Sequence, residues 1–170
     1  MDSSELDTLA KKDELLSRRW GGVFALDEFP KLIEPGRIFV VNDQPRHIYL
    51  GHWRLVSTYG ASAVWFCSYG TPPKNPNVIQ SLSKLKGPLV YNARQLQEYS
   101  TTTCSMHAIF IGMMLARDLE LGEIIEKFYS RTDLLQNDYM VRQYIKTVFR
   151  LKSVPPLFDK EFLSQHAAHE

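Results

Sequence analysis

Cys104 and His52 are the two side chains in this sequence best suited to covalent chemistry. The hydroxyl run Ser100-Thr101-Thr102-Thr103 comes just before Cys104, and Cys104, Ala108, Ile111 and Leu115 share one face of a helical repeat. The pattern predicts a helix that begins at Cys104 and is capped by those hydroxyls. A thiol in the first turn of a helix sits at the positive end of the macrodipole, among unpaired N–H groups, and both favour thiolate. The same N–H groups can hold an oxyanion once the thiolate has attacked a carbonyl. Attack also needs a base. His52, between Gly51 and Trp53 at the start of a predicted strand, is the candidate. Gln97 lies seven residues before Cys104, close enough for its amide to act as an oxyanion donor. Each residue also has a plain structural reading: Cys104 as a small core residue, His52 as structural, Gln97 as an exposed loop residue. His107, one turn past Cys104 on the same predicted helix, is poorly placed to meet the thiol in line, and His47 falls in a turn-like stretch.

The elements that must position these groups follow from patterning. Glu5 to Arg19 carries Leu6, Leu9, Leu15 and Leu16 among charges, which predicts a surface helix ended by Trp20-Gly21-Gly22. Asp27-Glu28-Phe29-Pro30 reads as a turn or short helical start. Ile38 to Val41 predicts a strand, closed by Asn42-Asp43. Arg54–Tyr59 and Ala63–Tyr69, flanking Gly60-Ala61-Ser62, predict an antiparallel hairpin with His52 at one start and Cys67 near the far end. Asn75-Pro76 opens a helix to about Lys86, and Leu89–Tyr91 suits another strand. Two further helices are expected near Glu120–Tyr129 and Asp133–Leu151, before Pro155-Pro156 ends regular structure. The expected fold class is α+β: a twisted, mostly antiparallel sheet packed on a central helix that starts at the nucleophile. Residues 1–155 form one domain with an N-terminal helix, and 156–170, with His166 and His169, form a C-terminal tail.

Composition narrows the function classes. The chain has 170 residues, a hydrophobic fraction of 44% and a formal net charge of +1, enough for one domain with a sizeable core. So balanced a charge argues against nucleic acid or an anionic membrane as the main partner. Two cysteines, Cys67 and Cys104, exclude a disulfide scaffold, and no His/Cys/carboxylate cluster has metal spacing. No Gly-rich phosphate cradle is visible, so neither a metal nor a cofactor is expected. The apolar run Ala108–Ala116 is too short to span a bilayer, and the acidic N-terminus has no secretory pattern. A reducing, intracellular setting is expected.

The order of motifs resembles a known family. Gly22-Val23-Phe24-Ala25-Leu26-Asp27-Glu28-Phe29-Pro30, Val40-Val41-Asn42-Asp43, Gly51-His52-Trp53, Phe66-Cys67-Ser68-Tyr69-Gly70 and Gln95-Leu96-Gln97 followed by Cys104 occur in that order. They resemble the adenovirus-type cysteine proteases (adenain), and more closely the proteases of Maverick/Polinton elements and virophages. That group shares a fold core with SUMO-specific proteases. The resemblance implies a cysteine endopeptidase with Cys104 as nucleophile, His52 as base, Gln97 as oxyanion donor and position 67 as the third triad residue. It places Trp53, Asn42 and Ser105 at the substrate site. The implied substrates are capsid or core precursor polypeptides, with DNA or a peptide as possible activators, and the implied setting is the virion or the host nucleus or cytoplasm. Two departures stand out: Cys67 replaces the family's Asp or Glu, and Ser105 replaces the Gly after the nucleophile. A Cys–His dyad, a protease-like binding or virion structural domain, and an isopeptidase acting on a ubiquitin-like tail are the readings those departures leave open.

Overall fold

A computed structural model describes residues 1–48 and 51–158. The part of the expected tail that carries His166 and His169 lies outside the described residues. Five strands form a single sheet in the sequential order β1 (Trp20–Phe24), β2 (Ile38–Asn42), β3 (Trp53–Ser57), β4 (Ala63–Phe66) and β5 (Leu89–Tyr91). The sheet is mixed rather than mostly antiparallel. β2–β3 and β3–β4 are antiparallel, whereas β1–β2 and β4–β5 are parallel. The two parallel pairings join outer strands reached by longer connections, and local patterning does not show which way such a strand runs. β1 itself occupies Trp20-Gly21-Gly22, where a helix stop was expected and a strand was not.

Six helices accompany the sheet: α1 (Ser3–Lys12), α2 (Glu14–Arg19), α3 (Pro76–Ser83), α4 (Cys104–Leu115), α5 (Leu121–Phe128) and α6 (Leu134–Val148). The single helix expected over Glu5–Arg19 is two. Asp13 divides it by leaving helical geometry and capping α2, accepting a hydrogen bond from the Leu16 N–H at 2.8 Å. Asp13 also pairs with Arg117 just beyond α4, at 2.7 Å, which ties the N-terminal helices to the core.

β2 and β4 read as unbroken apolar runs because the central strands are covered on both faces. Ile38, Val40, Leu55, Val64 and Phe66 join the large core around α4, while Phe39, Val41, Val56 and Trp65 pack with Val78 and Leu82 of α3. The two sets alternate along the strands with period two, as side chains on a pleat must. α4 lies across β2 and β3 and is surrounded by α1, α2, α5 and α6. Every residue from Ser105 to Leu115 is buried, so α4 has no solvent face. The one-sided stripe expected for it is replaced by burial all round. Only Cys104, at its first position, is partly exposed.

The expected boundary at 156 falls within packed chain. The Thr102 N–H donates to the Leu157 carbonyl at 2.9 Å and its hydroxyl to the Pro156 carbonyl at 2.8 Å, so 156–158 brace the segment leading into α4.

Gly70 follows the end of β4 with φ +74°, and a Cβ there would come within 2.6 Å of the Arg94 backbone carbon. Both the positive φ and the backbone contact demand glycine. Gly70→Ala is expected to destabilise the fold by about 2–3 kcal/mol. A urea titration showing an unchanged midpoint would refute this.

Candidate active site

His52 is held by its own backbone. Its N–H donates to the Asp43 carboxylate at 2.7 Å, and its carbonyl accepts from the Asp43 N–H at 3.1 Å. Asp43 is paired in turn with Arg54 at 3.0 Å. The Asn42-Asp43 turn after β2 therefore fixes the entry to β3, where His52 sits. The buried imidazole stacks on Tyr69, with ring centroids 4.1 Å apart and planes 16° off parallel. Its Nε2 lies 3.5 Å from the Cys67 sulfur and 3.3 Å from the Ser68 hydroxyl. Position 67 thus sits against the imidazole, and Cys67 is fully buried there.

Cys104 reaches the same place from the other side of the fold. The backbone N–H groups of Trp53, the residue after His52, and of Ser105 lie near enough to its sulfur to favour the thiolate. His52, Trp53, Tyr69, Thr101, Cys104 and Ser105 share the lining of one cleft of about 840 Å³. Asn42 lines it too, its side-chain oxygen accepting from the Gln44 N–H at 2.9 Å. Gly51 makes room for that arrangement, since a Cβ there would come 1.9 Å from the Asn42 oxygen. Nucleophile candidate, base candidate and the three expected substrate residues Trp53, Asn42 and Ser105 are brought together. The Ser105 hydroxyl is buried beside them without a partner.

Gln97 is placed differently from the expectation. It is fully buried and is not part of the cleft lining. Its NH2 group donates to the Thr101 carbonyl at 3.0 Å, and its oxygen accepts from Ser68 at 2.6 Å. Its amide is therefore turned into the protein rather than toward an oxyanion. The hydroxyls before α4 also behave otherwise than expected. Thr103 is the residue preceding the helix, but its hydroxyl makes no cap bond and donates instead to Asp138 of α6, at 2.6 Å. Asp138 further accepts the Glu98 N–H at 3.0 Å and contacts His107 Nε2 at 2.8 Å. His107 is fully buried among Asp138 and Tyr129, away from any acid–base role in the cleft.

The electrostatics favour neutral partners at rest. Burial, with Arg54 nearby, holds the His52 imidazolium down to about 3, against an opposing pull from Asp43. Crowding around the sulfur pushes the Cys104 thiol up, and the Trp53 and Ser105 N–H groups offset only part of that. Both shifts favour the neutral forms, a thiol and an uncharged imidazole, in the cleft's two reactive candidates. Sequence reasoning missed Ser68, Tyr69, Asp43 and Asp138. Ser68 and Tyr69 follow Cys67 directly, which is the one signal that could have drawn attention to them. Asp138 carried none, because its partners come from segments far away in the chain. Among the described residues no cluster of His, Cys, Asp and Glu could hold a metal ion.

Burial also lowers the pKa of His107, although Asp138 opposes the shift. Unfolded histidine binds its proton near pH 6.5, whereas the folded chain keeps the His52 ring neutral well below that. Between about pH 6.5 and 3 the unfolded state binds more protons, so stability must fall as pH falls. His52 contributes up to about 1.4 kcal/mol per pH unit in that window, and the His107 shift acts in the same direction. Urea midpoints should drop between pH 7 and pH 5, above the range where carboxylates protonate, and His52→Asn should flatten the drop. Equal midpoints at the two pH values would contradict the neutral state.

Comparison with models of known protein families and with curated proteins gave no match to either.

Proposed function

We propose that the chain is a cysteine endopeptidase in which Cys104 attacks a peptide carbonyl and His52 takes its proton. The observation that carries this reading is that Cys104 and His52 line one open cleft, with the Trp53 N–H beside the sulfur favouring its thiolate. In the proposed reaction His52 acts as a neutral general base during attack, since neither partner is ionised at rest. The thioester forms as the amine leaves with the proton from His52, and water then hydrolyses it. Backbone N–H groups at the start of α4, including that of Cys104, would hold the oxyanion. Gln97 could join them only by turning its amide away from Thr101. By the resemblance set out above, the substrates would be capsid or core precursor polypeptides, processed in a virion or its host cell. No helix among the described residues is long and apolar enough to cross a membrane.

A second reading is favoured by one observation: the residue against His52 Nε2 is a neutral thiol, not a carboxylate. On that reading the domain is catalytically impaired and serves as a virion structural or binding protein. An isopeptidase acting on ubiquitin-like tails would use the same groups and differ only in substrate.

Thiol reactivity separates enzyme from impaired domain. Iodoacetamide at neutral pH should modify partly exposed Cys104 far faster than buried Cys67, and His52→Ala should slow that reaction. Slow, equal modification of both thiols would favour the impaired domain. Capsid-precursor peptides and ubiquitin-like conjugates, assayed side by side, then decide between the two enzymes. Cys104→Ala should abolish cleavage.

Cys67→Asp would put a carboxylate beside Nε2, with the Thr71 hydroxyl, now 3.2 Å from the sulfur, as a further donor. His52 should then titrate at higher pH by NMR, and cleavage should equal or exceed wild type. A folded Cys67→Asp protein whose His52 titration does not move would show that position 67 does not govern the ring.

A further inference from the structure

We infer that Ser68 is the positioning residue that holds His52 as its Nε2–H tautomer, through a one-way chain of hydrogen bonds that passes through Gln97 to the Thr101 carbonyl. The direction follows from which groups can donate. The Thr101 carbonyl can only accept, so the end of the Gln97 amide that faces it at 3.0 Å must be the NH2. The Gln97 oxygen therefore faces Ser68, and because that oxygen can only accept, the Ser68 hydroxyl must donate to it, at 2.6 Å. A serine hydroxyl has one proton. With that proton committed to Gln97, Ser68 can only accept from His52 at 3.3 Å, and Nε2 must carry a hydrogen. Nδ1 is then left with the free lone pair that a base requires.

The far end of the chain closes in the same sense. The Gln97 NH2 also meets the Thr101 hydroxyl at 3.3 Å. That hydroxyl gives its one proton to the Glu98 carbonyl at 2.9 Å, so the chain ends there. Thr103 gives its own proton to Asp138 at 2.6 Å, a separate bond that does not continue the chain. Ser68, Gln97, Thr101, Thr103 and Asp138 are all buried, so water does not compete for these bonds. Cys67 also lies near Nε2, at 3.5 Å, but a thiol sulfur is a weak acceptor and nothing in its surroundings dictates which way its own proton points. The orienting function that a carboxylate would perform falls to the neighbouring serine, and Gln97 serves it from behind. The catalytic consequence rests on the peptidase reading above; the tautomer does not.

The test is the protonation of His52 read by 15N NMR on the intact chain at neutral pH. Wild type should show Nε2–H with Nδ1 bare, and wild-type Nδ1–H would overturn the inference without any variant. Ser68→Ala should give a mixture of tautomers, whereas Ser68→Thr, which keeps the hydroxyl, should retain Nε2–H. Gln97→Leu frees the Ser68 proton to turn toward Nε2 and should swing the ring to Nδ1–H. Cys67→Ala should leave the tautomer unchanged. If Cys67→Ala scrambles it while Ser68→Ala does not, Cys67 orients the ring and the inference is overturned. Peptide cleavage by Ser68→Ala should fall by up to ~10⁴-fold, the scale of loss when a triad histidine is left in the wrong tautomer. Tautomers that follow these expectations in a protein that cleaves nothing would sink the peptidase reading and leave this assignment standing.

Discussion

A helix with no polar face must be buried on every side, and α4 is such a helix from Ser105 to Leu115. The rest of the fold can be derived from that demand. β2 and β3 cover one side of it, and α1, α2, α5 and α6 close the others. Gly112 lets the sheet come close, since a Cβ there would lie only 3.1 Å from Leu55. A helix sealed in this way can meet solvent only at an end. Its first residue is Cys104, and the cleft opens there.

Burying the approach to a helix N-terminus creates a second demand, because the polar groups of the lead-in segment lose water. Thr101, Thr102 and Thr103 are satisfied from three directions: Gln97 and Glu98 before them, Asp138 from α6, and residues 156–157 from the chain beyond it. The same bonds stiffen the segment that delivers the thiol. Structural satisfaction and site geometry are one set of interactions here, and the buried polar groups near Cys104 serve both ends.

Much of the site was legible in the sequence, and the limits have physical causes. Cys104 and His52 stood out because a nucleophile and a base are chemically distinctive types next to strong local signals, a run of hydroxyls and a strand. Strands β2 to β5 and the position of α4 could be read from apolar runs and turn residues. β1 could not, because Gly21 and Gly22 have poor strand propensity and are held by pairing with β2. The break at Asp13 was hidden by helix formers on both sides of a single capping residue. Gln97 was placed near Cys104 by spacing, but spacing carries no information on where an amide points. That depends on Ser68 and Thr101, which meet it only in the folded chain.

The antiparallel register of β2 and β3 has a bearing on the site as well as the core. Asn42 faces Trp53 across that pair, and Ile38 faces Ser57. Sliding one strand by a single residue would turn every side chain of that strand over. The residues now under α4 would exchange with those under α3. The same slide would carry His52 away from Tyr69 and Ser68. Misalignment of the reactive groups by one step is thus linked to inversion of two hydrophobic layers. The place of His52 in the cleft therefore inherits the two-sided constraint that keeps the core layers in register.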